Sequence, residues 1–238
     1  MNAGHFAGGV VDDVMVVGVG GQGVIVAAAI IADTAMLHGG LDVKLSETRG
    51  MSQRGGSVSS HIRIGETVVA PVISPGEIDY LLAFEAAEGL RLAPSLAPGG
   101  LAIVNMQQIV PPLASTGTHT YPFDAVQRMI DRRLRVIAVD GNDVAEKIGD
   151  VKVAGVVLVG ALSVHLPFAD ETWRAAITGN VPPKWLQLNL AAFAAGQRIG
   201  AAGGGTAAEA DPGAKAGVPA QASAAAKAVK AERGRARR

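Results

Sequence analysis

Two glycine-rich stretches carry the residue types and spacing through which this chain could do chemistry. The first, Gly18-Val19-Gly20-Gly21-Gln22-Gly23, has the G-x-G-x-x-G spacing and stands between an apolar run and a segment of helical periodicity. Glycines there permit a tight turn and let the backbone approach a pyrophosphate, while the helix N-terminus that follows favours an anion. An acidic residue at the end of the second strand would complete a ribose site; Glu47 stands near that place, later than the usual spacing of about 20 residues. The same glycines would equally serve close packing of strand on helix, and the spacing leaves both readings open. The second stretch, SETRGMSQRGGS at 46–57, sets Arg49 and Arg54 among Gly50, Gly55, Gly56 and the hydroxyls of Ser46, Thr48, Ser52 and Ser57. Guanidinium forks, hydroxyls and backbone N–H groups together suit a phosphate or a carboxylate. A solvated or partner-facing loop is the other reading.

The remaining polar residues offer less. The chain has no cysteine, which excludes disulfides, thiolate zinc sites and iron–sulfur clusters ligated in the usual way by this chain. His119 and His165 have no carboxylate or second histidine at ligand spacing, so no metal site is expected. Glu85 and Glu88 read as a charge pair at a helix start, His38 as a favourable charge at a helix end, and His61 as an exposed strand residue. No Ser-His-Asp arrangement and no Walker lysine is visible, and no catalytic residue is assigned.

The elements that must position the two loops follow from periodicity. VMVVGV at 14–19 is an apolar, β-branched run of the kind buried on both faces of a parallel sheet. A helix over 22–38 and a strand DVKLSE complete a β-α-β start. The segment 57–73 alternates on both sides of Gly65-Glu66 and predicts a hairpin, with Val58, Ile62 and Ile64 on its buried face. Strands at 79–85, 99–105 and 135–141, and helices at 86–97, 123–133, 152–166 and 184–198, complete the expected body. The fold class is α/β: a Rossmann-like layered sheet, mostly parallel, with a β-hairpin insertion.

Composition sets the outer bounds. With 238 residues, 49% hydrophobic, one core of ordinary size can be buried in a single domain, expected over 13–200. Residues 1–12 read as a flexible arm. Residues 201–238, rich in Ala, Gly and basic side chains with almost no large apolar residue, read as a disordered tail without enough apolar surface to offset chain entropy. Net charge is zero, so nothing global argues for nucleic acid. No run reaches the roughly 18–20 apolar residues of a membrane span, and the start lacks the pattern of a signal peptide, so a cytoplasmic protein is expected.

Taken in order, GVGGQG (18–23), SETRGMSQRGGSVSSHIRIG (46–65), DYLLAFEAAEGLR (79–91) and LVGAL (158–162) resemble the gamma-type domain of the 2-oxoacid:ferredoxin oxidoreductases, across residues 14–198. The form Met51-Ser52-Gln53-Arg54-Gly55-Gly56 is most similar to the small-subunit branch that serves indolepyruvate. The resemblance implies a subunit of a complex that oxidatively decarboxylates a 2-oxoacid with coenzyme A. Thiamine diphosphate, Mg2+ and iron–sulfur clusters would lie on a large alpha subunit, ferredoxin or a similar carrier would accept the electrons, and the assembly would be a dimer of heterodimers. No cofactor is assigned to this chain alone. Gly18, Gly20, Gly21, Gln22, Gly23, Ser52, Gln53, Arg54, Gly55 and Gly56 would contact coenzyme A or another phosphate ligand, and Glu47, Arg49 and Met51 the partner. Gly155 departs from the polar residue, often Asn, of the family pattern, so no contact is placed on that helix. Alternatives are a complex serving pyruvate, 2-oxoglutarate or a branched 2-oxoacid, a stand-alone NAD- or FAD-binding protein, and a scaffold acting through its basic tail.

Overall fold

The unbroken apolar run from Val14 to Val17 becomes the centre of a six-stranded sheet, with Val14 and Val16 facing one core layer and Met15 and Val17 the other. The computed structural model describes residues 11–49, 56–111 and 120–203; residues 1–10 of the expected arm, half of the second loop and most of the tail lie outside them, and the last two residues of the expected arm, Val11 and Asp12, already belong to the first strand. The strands are β1 (Val11–Val19), β2 (Asp42–Arg49), β3 (Ser57–Gly65), β4 (Ile78–Ala83), β5 (Leu96–Asn105) and β6 (Arg135–Val139). The helices are α1 (Val24–His38), α2 (Ala86–Leu92), α3 (Ala125–Asp131), α4 (Gly141–Ile148), α5 (Ala154–Ser163), α6 (Asp170–Asn180) and α7 (Leu186–Ala201). Sheet order is β2-β3-β1-β4-β5-β6. The last four strands of that order run parallel, and β3 is antiparallel to both of its neighbours. Side chains of α1, α5, α6 and α7 cover one face, and those of α2 and α3 the other.

The expected hairpin is real but lies one segment earlier. β3 pairs with β2, from Asp42 opposite Gly65 to Arg49 opposite Val58, and not with residues 66–73. In that later stretch Pro71 has no N–H for a ladder, and Val69 is 94% exposed, so its alternation buries little. Within β3 the buried face is as expected, with Val58, Ile62 and Ile64 inside.

Helices α4 and α6 stand where no helix was expected. Both are short, with few apolar side chains, so their periodicity is thin in sequence; Asp140 caps α4 by accepting from the Asp143 N–H, and α6 buries Trp173, Ala176 and Ile177 at i, i+3, i+4 spacing. The helix expected over 86–97 ends at Leu92, and a 3₁₀ turn at Ala93–Ser95 leads into β5. The helix expected over 152–166 is a 3₁₀ turn at Val151–Val153 followed by α5, all of whose residues are buried.

From β1 the chain passes through α1 towards one edge of the sheet, and from β4 through α2 towards the other. In open α/β sheets the crevice outside the strand ends at such a reversal is where ligands bind.

Candidate functional site

The glycine loop leaves β1 at Val19 and enters α1 at Val24. Gly18 sits where strand, loop and helix converge: a Cβ there would stand 2.7 Å from Gln22 Oε1, 2.8 Å from Phe84 Cβ and 2.9 Å from Val24 Cγ2. Gly21 and Gly23 take left-handed backbone, with φ of 102° and 89°. Gly23 is the cap residue of α1 and no side chain caps that end, so first-turn N–H groups are left for water or a ligand.

Gln22 turns inward. Its Oε1 accepts from the Val19 N–H at 2.6 Å, and its Nε2 donates to the Phe84 carbonyl at 3.0 Å and to Gln107 Oε1 at 2.7 Å. Because one partner is a backbone donor and another a backbone acceptor, the amide orientation follows from the network. Asn105, at the end of β5, donates to the same Phe84 carbonyl (3.1 Å) and to Asn142 Oδ1 (2.9 Å), and accepts from the Gly141 N–H (3.0 Å). This chain of amides crosses the carboxyl ends of β1, β4, β5 and β6.

Beside it lies a cleft of about 240 Å³. Gly21, Gln22 and Gly23 form one wall, Asn105, Gln107 and Asn142 the second, and Val151, Lys152, Ala154 and Gly155 the third, with Phe84 also in the lining. A Cβ on Gly155 would meet the Phe84 ring at 2.7 Å, so glycine there allows α5 to close on that ring. Lys152 Nζ lies 5.8 Å from the centre of the Trp185 ring, and Lys184 Nζ 5.7 Å from the same ring. The lining contains no carboxylate, imidazole or hydroxyl side chain. Its ionisable side chain is the Lys152 ammonium, so it can hold an anionic ligand.

The second loop meets the first at its base. Gly20 N–H donates to the Gly56 carbonyl at 2.9 Å. Ser57 Oγ donates to Glu88 Oε2 at 2.6 Å, and Arg91 donates both to Ser57 Oγ (2.9 Å) and to Glu88 Oε2 (2.6 Å), which ties the start of β3 to α2. Met51, Ser52, Gln53, Arg54 and Gly55 lie outside the described residues. Arg49 closes β2 opposite Val58. Glu47 pairs with Ser60 of β3, and Ser60 with Val16 of β1. One whole strand therefore separates Glu47 from the glycine loop's own strand, roughly 10 Å across the sheet, which is not the neighbouring position of a ribose-binding carboxylate.

Of the polar residues read in sequence, His61 differs from its reading, and Glu85 and Glu88 stand at a helix start as expected. His61 is half-buried, not exposed: its Nδ1 accepts from the Ile73 N–H at 3.2 Å, and burial lowers its pKa. Glu85 is 1% exposed and caps α2, accepting from the Glu88 N–H at 2.9 Å. The Glu88 side chain joins the rim cluster with Ser57 and Arg91, while its N–H is held by Glu85. Phe84, Asn105, Gln107, Asn142 and Lys152 were not singled out in sequence; the amides Asn105, Gln107 and Gln108 at the end of a buried strand are the available signal. Among the described residues, no group of three or more His, Asp or Glu side chains could hold a metal ion, and no helix is long and apolar enough to cross a membrane.

A family model described as pyruvate ferredoxin/flavodoxin oxidoreductase matches residues 13–199. The chain is 42% identical over 188 residues to indolepyruvate oxidoreductase subunit IorB of Archaeoglobus fulgidus, covering 77% of this chain and 92% of that protein. It is 36% identical over 189 residues to subunit IorB of Thermococcus kodakarensis, covering 77% and 93%. Among solved structures it is similar to the gamma subunit of keto/oxoacid ferredoxin oxidoreductase from Geobacter sulfurreducens, with a TM-score of 0.59, 25% identity, and coverage of 80% of this chain and 99% of that one.

Proposed function

Because the chain belongs to the pyruvate ferredoxin/flavodoxin oxidoreductase family, we propose that it is the small subunit of an indolepyruvate, or other arylpyruvate, oxidoreductase. The complex converts the 2-oxoacid and coenzyme A to an acyl-CoA and carbon dioxide and passes the electrons to ferredoxin. The decarboxylation chemistry would be supplied by thiamine diphosphate with magnesium. We assign that cofactor, with the iron–sulfur clusters, to a larger partner subunit, since this chain has no cysteine and its cleft no carboxylate or imidazole.

The task left to this chain is to hold coenzyme A. The backbone of Gly21 and Gly23 and the uncapped end of α1 would take one phosphate region, and Lys152 supplies a cation in the lining. Val151, 42% exposed, adds apolar surface for the pantetheine arm. Ser52, Gln53, Arg54 and Gly55 are carried as further contacts, and Glu47, Arg49 and Met51 as partner-facing residues, on sequence grounds. The observation that carries this reading is the Gly20 to Gly56 hydrogen bond, which joins two glycine-rich loops beside a cleft built only for binding.

The test is anaerobic co-expression with the large subunit, followed by indolepyruvate- and coenzyme A-dependent reduction of a viologen dye. Lys152→Ala raises the coenzyme A KM about tenfold, roughly 1.4 kcal/mol, with kcat nearly unchanged, as expected when a uniform binding contact is lost. An unchanged KM removes the cleft from coenzyme A binding. Failure of the chain to associate with any large subunit removes the subunit reading, and preference for pyruvate or 2-oxoglutarate over indolepyruvate moves the substrate within the same complex.

A further inference from the structure

Glu85 caps α2 through one carboxylate oxygen, Oε2, and its other oxygen, Oε1, is left for a second use. The carboxylate as a whole accepts from the N–H groups of Glu88 (2.9 Å) and Ile109 (3.2 Å) and from the Tyr121 hydroxyl. These donors come from three places: the first turn of α2, the segment after β5, and the segment before α3. A carboxylate taken out of water persists where several donors satisfy it, and donors from separate segments are thereby fixed relative to one another. Burial, and after it the Glu85 carboxylate, raises the pKa of Tyr121 above the ordinary tyrosine range, so that hydroxyl stays a donor at physiological pH.

What this anchor holds is Gln107. The Ala86 N–H donates to the Gln107 carbonyl at 3.1 Å, one residue beyond Glu85, and Ile109 two residues beyond Gln107 is bound by Glu85 itself. With its backbone held on both sides, Gln107 presents Oε1 to Gln22 Nε2 at 2.7 Å, and Gln22 Oε1 in turn accepts from the Val19 N–H inside the glycine loop.

We propose that Glu85 and Tyr121 are positioning residues for the glycine loop, acting through Gln107 and Gln22, so that the conformation of residues 18–23 depends on a carboxylate clasp in a different loop. The role of Gln22 is then to transmit that position and not to touch the ligand. The inference rests on the proposed function only where it speaks of coenzyme A; the coupling itself is a property of this chain.

The test uses the full chain with Tyr121→Phe, Gln107→Ala and the double variant. In hydrogen exchange, both single variants speed exchange of the peptide covering 18–23 about tenfold, and the double variant does no more than the worse single, the signature of one connected unit. Coenzyme A affinity, measured by titration calorimetry, falls about fivefold in each single variant and no further in the double. Exchange in 18–23 that stays at the wild-type rate while 106–111 loosens overturns the coupling, as does an exchange gain in the double variant equal to the product of the two singles. A wild-type chain that shows the exchange coupling but binds no coenzyme A supports the positioning role and removes the cleft assignment instead. Coenzyme A bound equally by all four proteins, with unchanged exchange, leaves the cleft assignment and removes the positioning role.

Discussion

The glycine loop at 18–23 and the helix pair α5–α7 are both built on glycine, and they draw on opposite properties of the residue. At Gly21 and Gly23 the backbone is left-handed and an added Cβ would meet nothing within 4 Å. There the requirement is conformational, and the space beside the backbone stays open for a ligand. At Gly160, Gly196 and Gly200 no positive φ occurs, yet an added Cβ would overlap the carbonyl oxygens of Phe193, Val157 and Ala161 respectively. There the requirement is steric, because the two helices touch backbone to backbone. Glycine in one place keeps a surface open and in the other closes a core.

That contrast is sharpest in stability. Gly196→Ala should cost about 3 kcal/mol, near the top of the overpacking range even after the ~1 kcal/mol that alanine gains in helix propensity. The thermal midpoint then falls by roughly 6–12 °C for a domain of this size. A midpoint within error of wild type would show that α5 and α7 can separate freely, and the contrast would fail.

Gly23→Ala should cost about 1–2 kcal/mol, the ordinary penalty of a left-handed residue with a Cβ. Gly23→Asn should recover much of that in urea unfolding, because Asn tolerates left-handed backbone. Gly196→Asn should be worse than Gly196→Ala, since its larger side chain meets the same backbone wall. Equal behaviour of Asn at the two positions would erase the distinction between conformational and steric glycine.

The smallest effect lies at the outer end of the helix layer, where Asp170 of α6 accepts from Arg174 and from Gln197 of α7. Arg174 first, and Gln197 after it, hold the Asp170 carboxyl below the usual carboxylate range. A carboxyl depressed on folding contributes stability that is present above its unfolded pKa and is lost as pH falls through the folded one. Asp170→Asn should therefore lower the midpoint slightly near neutral pH and leave it unchanged in strong acid. The pair is about two-fifths exposed, so screening keeps the difference to a few tenths of a kcal/mol. A difference that grew towards acid pH would reverse the sign and remove the assignment.

The proposed site was only partly legible beforehand. The motif at 18–23 placed one wall of the cleft, because strand, tight turn and helix start are set by neighbours in sequence. Asn105, Gln107, Asn142 and Lys152 sit on three other segments, and nothing local marks them as partners of Gln22 or of one another. Gln22, for its part, reads in sequence as a ligand contact and in the fold spends its amide on Val19, Phe84 and Gln107.

Local chemistry determined the α/β class, the buried strand at 14–19, the glycine turn after it and the buried face of β3, since each depends on side-chain period, backbone freedom or apolar content within a few residues. Tertiary structure alone decided that β3 lies between β1 and β2, which carries Glu47 away from the glycine loop, and that Gly160 meets Gly196 across two helices. Strand order and helix contact are selected by which apolar faces can be buried together and which backbone groups can be paired. Those are long-range conditions, and no single stretch of sequence expresses them.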